Sequence, residues 1–385
     1  MVLTSDFKLS GVAGTHRDEP DAVRRELKIY WNDHELLSPP LWVRIAWERS
    51  NQRSLKRALC DLRPEVVSVW AMGAMSLGLL TALGRAGVPS VLVICDEWPA
   101  YAVETDAWMR LFVKRRRLAA LAGKVARSPT SLPDLDAIGP SCFVSGSLRD
   151  ILRRTSPWSF EDSGVVYSGI DRGDFPMSCP VPDRPFGYRL LYVGRIDPRK
   201  GIATAIQALA LCPKTATLEV IGRGDARHKA ELARLAEALG VAERVTFSVA
   251  ERSQLARSYR RADVLIFPPT WDEPFGLVPL EAMASGTPVV ATATGGSAEF
   301  LSEGFNCLVF SPGSAEELTA ALHRLALSSE LRSTLVRGGQ ETAKALDTAR
   351  LAGRLIQWHL VAVSGRGTPR PPDVPILQAL GRSRP

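Results

Sequence analysis

Two glutamates that could take part in binding or catalysis lie in the stretch PPTWDEPFGLVPLEAMASGTPVVATATGG, residues 268–296, with seven residues between them. Glu273 lies among proline, glycine and aromatic residues, which predicts an exposed loop. Glu281 lies in the first turn of a helix predicted to begin near Pro279. A carboxylate accepts hydrogen bonds from the hydroxyl groups that sugars and riboses carry. The intervening residues offer backbone N–H groups at a helix start, where anions are favoured. The pattern fits two sugar rings with a phosphate between them, and a helix-dipole acid plus a turn residue fits it equally well.

Cations and glycines recur at other predicted strand ends of the same half. The segment YVGRIDPRKG (192–201) ends a strand and carries Arg195 and Lys200 in the following loop. VIGRGD (220–225), which contains Gly222, is a second glycine-bearing strand end, and TATGGSAEF (292–300) is a third. Two cations facing an anion-binding helix start would neutralise a diphosphate without a metal ion. A solvated basic loop is the plain alternative for either cation alone.

The elements that must position these residues follow from hydrophobic patterning. Short β-branched runs alternate with segments of helical spacing, which predicts parallel α/β sheets with helices on both faces. The predicted strands are EVVSVWA, VPSVLVIC, RLLYVGR, ATLEVIG, RVTFSVA, DVLIFPP and TPVVAT. The alternation occurs on both sides of FPMSCPVPDRPFG (175–187), a proline-rich stretch typical of a linker. We therefore predict an N-terminal domain at 1–178, a C-terminal domain at 184–345, a helix at 346–363 and a disordered tail at 364–385.

Composition narrows the class of protein. The 385 residues are 45% hydrophobic, and the six cysteines form no C-x-x-C pair or Cys/His cluster, which favours a reducing, cytoplasmic setting without structural zinc. The opening MVLTSDFKLSG does not resemble a secretory signal, and no apolar run is long enough to span a bilayer. The net charge of +7 is concentrated in residues 108–117 and in the tail after 364. No nucleic-acid-reading module is present, so nucleic acid is not an expected partner.

The motifs together are similar to those of a known enzyme family. Gly194-Arg195 with Lys200-Gly201, followed by EPFGL and EAMASGTPVVA, resembles the signature of the retaining glycosyltransferases of family 4. That resemblance, which extends over about 150–375, implies the GT-B fold, with two Rossmann-like domains facing across a cleft. It also implies transfer of a sugar from a nucleoside diphosphate sugar, with retained configuration and without a metal ion or other cofactor.

The resemblance also implies roles for individual residues. Glu273 would contact the hydroxyls of the transferred sugar, and Glu281 would contact the ribose of the donor. Arg195 and Lys200 would bind the diphosphate and stabilise the charge that develops on the leaving group. The remaining donor contacts would come from Gly222 and from the backbone amides of Phe275, Gly276, Leu277 and Val278.

The N-terminal half matches the family less well. The family often carries a histidine at the carboxyl end of an N-domain strand, where VLVICDEWPAY (91–101) has Cys95 and Asp96 instead. Asp96 is the candidate residue for orienting the sugar or the acceptor, and capping of the next segment is the equal alternative. Trp70 and Trp98 are the aromatic candidates for acceptor contact.

The basic segment WMRLFVKRRRLAAL (108–121) has two interpretations. It fits an interfacial helix on an anionic membrane. A helix packed on the sheet with a solvated basic face is favoured, because the segment is short.

Three other functions are compared with the transferase. A dinucleotide-dependent oxidoreductase is excluded because GRGDAR (222–227) lacks the third glycine of its fingerprint. A nucleotide-sugar epimerase needs acid and base carboxylates, and only Asp96 and Glu97 offer themselves. A catalytically silent partner of another transferase would explain the missing histidine. None of these patterns identifies the donor sugar, the nucleobase or the acceptor.

The start of the chain carries one more expectation. VLTSDF directly after Met1 looks like the family's second strand, and no apolar strand precedes Gly11 and Gly14. We therefore expect the N-terminal domain to lack its first strand here, and the biological start to lie upstream of Met1.

Overall fold

The computed structural model describes residues 1–7, 23–32, 35–113, 116–176, 185–365 and 368–381. Most of the predicted linker, Gly11 and Gly14, and part of the basic segment lie outside these ranges. The chain divides into two compact units, and residues 144–147 join the second one. Unit 1 comprises 1–143, 148–165 and 356–372, and unit 2 comprises 144–147, 166–355 and 373–385. This division differs from the predicted boundary, because residues 166–176 pack with the second unit.

Unit 1 is built around a parallel sheet. Its four strands lie in the order β5-β6-β7-β8, and two smaller sheets pair β1 with β2 and β3 with β4. β6 is buried along its whole length, as expected for a run of apolar residues covered on both faces of a parallel sheet. The strands of unit 1 are β1 Val2–Ser5, β2 Val23–Leu27, β3 Trp31–Asn32, β4 Glu35–Leu36, β5 Val67–Trp70, β6 Ser90–Ile94, β7 Ser141–Phe143 and β8 Ser163–Val165.

Helices connect these strands. They are α1 Leu41–Leu62, α2 Gly78–Ala86, α3 Trp98–Thr105, α4 Arg116–Ala126, α5 Leu135–Ile138 and α6 Gly146–Thr155. Among the described residues, no helix of the chain combines the length and hydropathy that crossing a membrane requires.

A buried polar cluster ties α1 to the rest of unit 1. The Glu48 carboxylate accepts hydrogen bonds from the hydroxyls of Tyr30 (2.9 Å), Ser76 (2.6 Å) and Ser128 (2.9 Å). Burial, reinforced by the nearby charge of Asp106, raises the Glu48 pKa to about 7. Burial also raises the pKa of Asp106 to about 6, although three backbone amides donate to its carboxylate. The unit therefore holds two acids that burial biases toward protonation.

Unit 2 contains a six-stranded parallel sheet in the order β11-β10-β9-β12-β13-β14. The chain builds β9, β10 and β11 toward one edge and then returns to place β12 on the other side of β9. The strand order thus reverses between β9 and β12, and such switch points are where open α/β sheets bind ligands. The strands are β9 Arg189–Val193, β10 Thr217–Ile221, β11 Val245–Ser248, β12 Val264–Phe267, β13 Val289–Ala291 and β14 Leu308–Val309.

Several helices of unit 2 begin at a side-chain cap. Side-chain oxygens of Asp225, Ser314 and Ser328 accept from backbone amides in the first turns of α8, α11 and α12. The helices are α7 Ile202–Leu211, α8 Ala226–Ala238, α9 Arg252–Arg261, α10 Leu277–Ala284, α11 Ala315–Leu327, α12 Ser329–Ala345, α13 Thr348–Ser364 and α14 Ile376–Ala379. The division between the units falls within α6 and within α13.

Most predicted strands and helices form in the structure, and the tail differs from its prediction. All seven predicted strands of the alternating pattern are confirmed, and the VLTSDF segment forms β1. The tail departs from the prediction, because residues 368–381 are described and include α14. Ile376 and Leu377 are buried, and the Arg370 guanidinium forms an ion pair with Asp162, so this segment has the apolar and charged contacts that a disordered tail lacks.

Candidate active site

The candidate site lies in unit 2, at the carboxyl ends of β9 and β12. β9 runs into the loop with Arg195 and Lys200, and β12 runs into the loop with Glu273. Because β9 and β12 are neighbours in a parallel sheet, the two loops emerge at the same edge. The strand order therefore brings together residues that are far apart in sequence.

Lys200 and Glu273 form an ion pair at this edge. The Lys200 Nζ lies 2.6 Å from the Glu273 Oε2, and the two side chains are only 14% and 12% exposed. The Trp271 indole N–H also donates to this oxygen, at 3.1 Å. Within the described ranges no group donates to the other oxygen, Oε1. Glu273 is therefore held in place through one carboxylate oxygen, and the second can accept from a ligand.

Trp271 forms a platform that the sequence reasoning missed. The Arg199 guanidinium carbon lies 4.5 Å from the centre of the indole ring, and the Lys200 Nζ lies 5.1 Å from it. Arg199 is also paired with Asp197 at 3.1 Å, and its hydrogen bond lowers the Asp197 pKa. A tryptophan two residues before the candidate acid in a Pro- and Gly-rich loop was the signal in the sequence. Cation–π contact of this kind orders the lysine beside the carboxylate.

Arg195 has a different environment from Lys200. Its side chain is exposed, and in the described part of the chain no carboxylate is paired with it. Its backbone carbonyl accepts a hydrogen bond of 2.7 Å from the buried Tyr192 hydroxyl, which anchors the loop to β9. Arg195 is therefore a positioned cation that remains available to an anion.

Glycines allow the loops to pack closely. Gly295 has a φ of +56°, and a Cβ there would lie 2.6 Å from both the backbone N and O of Glu273. The Gly296 amide donates to the Glu273 carbonyl at 2.7 Å. Gly222, predicted to contact a donor, packs against the end of β9, since a Cβ there would lie 1.8 Å from the Gly194 carbonyl oxygen. These glycines bring neighbouring backbones into contact at the ligand-binding edge.

The segment 144–147 forms hydrogen bonds with the loop that carries Glu273 and with the nearby Glu299. The Ser145 hydroxyl donates to the Pro274 carbonyl at 2.7 Å. The buried Glu299 carboxylate accepts from the amides of Gly146 (3.2 Å) and Ser147 (2.8 Å) and from the Tyr167 hydroxyl (2.9 Å). Glu299 was not identified from the sequence, although it lies three residues after the predicted Gly-Gly pair.

The helix after the loop begins two residues earlier than predicted. α10 starts at Leu277, directly after Gly276 with its φ of +90°, and Phe275 is buried against the Phe300 ring at a centroid distance of 5.0 Å. The first amides of a helix have no partner within it, so those of Gly276, Leu277 and Val278 are free of intrahelical bonds. Glu281 consequently lies in the second turn of α10, where the sequence predicted the first.

Glu281 is buried at 4% exposure and already bound by two side chains. Its carboxylate accepts from the Tyr259 hydroxyl at 2.7 Å and from the Arg252 guanidinium at 3.3 Å. Burial raises the Glu281 pKa, and the contacts with Tyr259 and Arg252 oppose that rise. Arg252 also binds Asp174 at 2.7 Å. Each oxygen retains a lone pair, so the ribose contact inferred for Glu281 stays a prediction.

The candidate residues of unit 1 are Asp96, Trp70 and Trp98, and they differ in their exposure and contacts. Asp96 follows β6, and its carboxylate accepts from the Trp98 amide at 3.0 Å, a local contact that matches the capping alternative. Cys95 is exposed and not a buried strand end. Trp98 is 1% exposed and lies in the core, so it is not available to an acceptor, whereas Trp70 is 47% exposed. A role for Asp96 in catalysis stays a prediction. In the ranges that the structure describes, no group of three or more metal-ligating side chains is found.

Comparison with known proteins finds a matching family and several relatives. Residues 187–342 match the family described as "Glycosyl transferases group 1". The D-inositol 3-phosphate glycosyltransferase of Mycolicibacterium gilvum is 37% identical over 219 residues, which are 52% of this chain and 48% of that protein. The chain spans about half the length of the first curated relatives it matches. The residues matched by the family lie in unit 2, which carries the candidate site.

Solved structures extend the likeness to the fold. The Anabaena protein HepE, in complex with UDP and glucose, superposes with a TM-score of 0.58 at 20% identity, covering 79% of each chain. The sucrose-phosphate synthase of Thermosynechococcus elongatus superposes with a TM-score of 0.62 at 22% identity, covering 89% of this chain and 83% of that one. The chain therefore has the GT-B fold, with a Rossmann-like sheet in each unit.

Proposed function

We propose that this chain is a glycosyltransferase that moves a sugar from a nucleoside diphosphate sugar to an acceptor hydroxyl group. The observation that carries the proposal is the arrangement at the switch point of unit 2. There Glu273, held by Lys200 at 2.6 Å, lies at the same sheet edge as Arg195, which is exposed and forms no ion pair with a carboxylate of the described chain. The edge thus offers an acceptor for sugar hydroxyls beside cations for a diphosphate.

The two sugar rings of the donor and the diphosphate between them are held by opposite kinds of group. Arg195, Lys200 and the first amides of α10 bind the phosphates, since cations and a helix start favour anions. Oε1 of Glu273 accepts from hydroxyls of the sugar, while Glu281 accepts from the ribose. The HepE structure contains UDP and glucose, which makes a UDP-hexose the first donor to test.

The reaction breaks the bond between the sugar C1 and the oxygen of the terminal phosphate. Negative charge develops on the departing diphosphate, and Arg195 and Lys200 stabilise it as fixed charges that need no reorganisation. The acceptor oxygen bonds to C1 on the face that the phosphate leaves, so the configuration is retained. The acceptor proton passes to the departing phosphate oxygen, which balances the charge without a protein base.

The finer assignments are part of the same proposal. Membership of family 4, retention of configuration and independence of metal ions rest on the motif resemblance and on the two cations. A cytoplasmic setting rests on the unpaired cysteines of the sequence. The acceptor is a small molecule, a lipid or a glycan, and no feature of unit 1 selects among them.

Donor turnover by the purified chain tests the proposal. We expect slow release of nucleoside diphosphate from one member of a panel of UDP-, GDP-, ADP- and dTDP-sugars, with water as the default acceptor. Glu273→Gln should abolish release, whereas Asp272→Asn, its exposed neighbour, should retain it. Activity should persist in excess EDTA.

Other outcomes identify the alternatives. Interconversion of sugars without release of nucleotide would indicate an epimerase. Donor binding without any turnover would indicate a catalytically silent partner protein. Loss of activity in EDTA that Mg²⁺ or Mn²⁺ restores would refute metal independence while leaving the transferase assignment intact.

A further inference from the structure

Unit 1 contains a pocket of about 770 Å³ between α1, α2, α4 and the loop after α4. Small-molecule sites in proteins typically enclose about 300–1,000 Å³. α2 ends just before β6 begins, so the α2 end of the pocket lies toward the amino ends of the strands. Asp96 lies after the carboxyl end of β6, at the opposite edge of the sheet. The α2 end of the pocket therefore lies at the opposite edge of this sheet from Asp96, and the lining includes none of the residues assigned to sugar transfer.

The charges lining this pocket are all positive. Lys56 on α1, Arg85 on α2, Lys124 on α4 and Arg127 in the following loop contribute four cations, and the lining includes no acidic residue. Across the described chain, none of these four cations is paired with a carboxylate. Like charges gathered in one concavity repel one another, so an anion that enters it gains contacts with several cations at once.

Helix capping does not account for these cations. Arg85 and Lys124 lie in the last turns of α2 and α4, where the helix dipole favours a cation. However, the last carbonyls of α4 are already bound, because Arg49 donates to the Val125 carbonyl at 2.6 Å and to the Ala126 carbonyl at 3.4 Å. The dipole also offers no reason for Lys56, which lies before the last turn of α1.

Arg127 adopts a backbone conformation that favours glycine. Its φ is +52°, directly after the last residue of α4, a position that helices usually fill with glycine. An arginine there is strained relative to glycine. The side chain lines the pocket.

The remaining lining complements a small organic anion. The Gln52 side-chain amide nitrogen is buried and has no acceptor in the described residues, so it can donate to a ligand. Leu55 and Leu59 lie on the same face of α1 as Gln52 and Lys56, and they give the pocket an apolar wall. A phosphate-bearing molecule with an apolar part matches this combination of four cations, a free donor and leucines.

We propose that this pocket of unit 1 binds a phosphate-bearing anion through Lys56, Arg85, Lys124 and Arg127. The ligand is either a free organic phosphate or the headgroup of an anionic lipid. The inference does not depend on the proposed transferase activity, because no residue of the candidate active site takes part.

Hydrogen exchange of the full-length chain with inorganic pyrophosphate tests the pocket. We expect pyrophosphate to slow exchange in peptides that cover residues 52–60, and we take the midpoint concentration of this effect as the affinity. Arg127→Gly should raise that midpoint about tenfold, the expected loss for one charge-assisted contact. Its melting temperature should stay the same or rise, because glycine relieves the strained φ.

Arg63→Gly is the matched control. Arg63 has a φ of +44° directly after α1 and does not line the pocket. We expect the same relief of strain with an unchanged midpoint. Lys56→Gln provides a second test at a position without backbone strain, and it should also raise the midpoint. Absence of protection at 52–60, or equal midpoints in Arg127→Gly and Arg63→Gly, would overturn the proposal.

A vesicle-binding experiment distinguishes a lipid headgroup from a free organic phosphate as the ligand. The chain is mixed with phosphatidylglycerol vesicles and with phosphatidylcholine vesicles and then sedimented. Sedimentation with phosphatidylglycerol that pyrophosphate and Arg127→Gly both reduce would assign a lipid headgroup to the pocket. Protection by pyrophosphate without such sedimentation would assign a soluble ligand. Vesicle binding that Arg127→Gly leaves unchanged, with no protection by pyrophosphate, would refute the site.

Discussion

Arg195 and Lys200 lie in one loop, but only Lys200 forms an ion pair with an acidic side chain in the described chain. Arg195 is exposed and has no acidic partner in the described chain, whereas Lys200 is bound to Glu273. Both charges face a diphosphate in the proposed complex, and a hydrogen bond to a charged group contributes about 1.5–3 kcal/mol. We expect Arg195→Ala and Lys200→Ala each to weaken binding of a nucleoside diphosphate about tenfold or more, with little effect on the nucleoside.

Calorimetry with both ligands measures this difference. Arg227→Ala is the control, because Arg227 is an exposed cation on α8 whose partner is Glu231. Equal weakening of the nucleoside and of the diphosphate would place these two cations away from the phosphates.

Glu273 affects stability as well as chemistry. The sequence suggested an exposed loop acid, but its side chain is 12% exposed and bound to a lysine that is 14% exposed. Glu273→Ala leaves the Lys200 ammonium half-buried without its partner, which should destabilise the protein by about 1–3 kcal/mol. Replacing Lys200 by Met in the same chain should restore most of that loss.

Urea denaturation of the two single variants, the double variant and the parent gives the coupling energy. Strictly additive losses would mean that the ion pair contributes nothing to folding.

At the scale of elements, the loop that carries Glu273 depends on the glycines that pack against it. Gly295→Ala would place a Cβ 2.6 Å from the Glu273 backbone, at a φ of +56°. Gly240 provides a control with a φ of +67° and no atom within 4 Å of its Cβ position. We expect Gly240→Ala to cost about 1 kcal/mol through backbone strain alone. Gly295→Ala should cost more and should also displace the loop, so that donor binding falls.

Thermal melting and donor titration of both variants distinguish the effect of backbone strain from the effect of steric overlap with the Glu273 loop. If Gly295→Ala binds the donor as tightly as Gly240→Ala does, the loop tolerates displacement and the packing has no functional role.

The strands were predictable because their signal is local. Runs such as DVLIFPP are apolar and β-branched over a few residues, and they lead directly to β12. The start of α10 was misplaced because proline is accepted throughout a first helical turn, where its missing N–H has no partner to lose. Pro279 therefore did not distinguish a helix that begins at Leu277 from one that begins at Pro279.

The partners of the site residues were not predictable. Tyr259 and Arg252 bind Glu281 from α9, so the contact depends on which helix packs beside α10. Trp98 was proposed as an acceptor contact because it lies near a strand end, but it packs in the core with Trp158 at a centroid distance of 6.3 Å. Side-chain direction after a strand depends on the next helix, and the sequence pattern does not specify it.

At the scale of the whole molecule, buried acids link stability to pH. Glu48 has a pKa raised to about 7 and Asp106 one raised to about 6, so the folded chain binds more protons than the unfolded chain between about pH 4.5 and 7. Stability should therefore fall as pH rises through this window. The change from Glu48 is on the order of 3 kcal/mol, since each pKa unit corresponds to about 1.4 kcal/mol.

Denaturant titrations at pH 5 and pH 7.5 measure this slope. Glu48→Gln keeps an acceptor for the surrounding hydroxyls and removes the ionisation, so it should flatten the profile. An unchanged profile in Glu48→Gln would assign the pH dependence to other groups.

The position of β12 beside β9 also has a consequence for biosynthesis. Lys200 and Glu273 are 73 residues apart in sequence, and the strand that carries the second loop is made after β10 and β11. A nascent chain can pair β9, β10 and β11 while the far side of β9 still has no neighbour. Unpaired edges of this kind recruit other strands and promote aggregation. The interval between the emergence of β11 and that of β12 from the ribosome is therefore when the unpaired edge of β9 is exposed, and a translational pause in that interval would prolong the exposure.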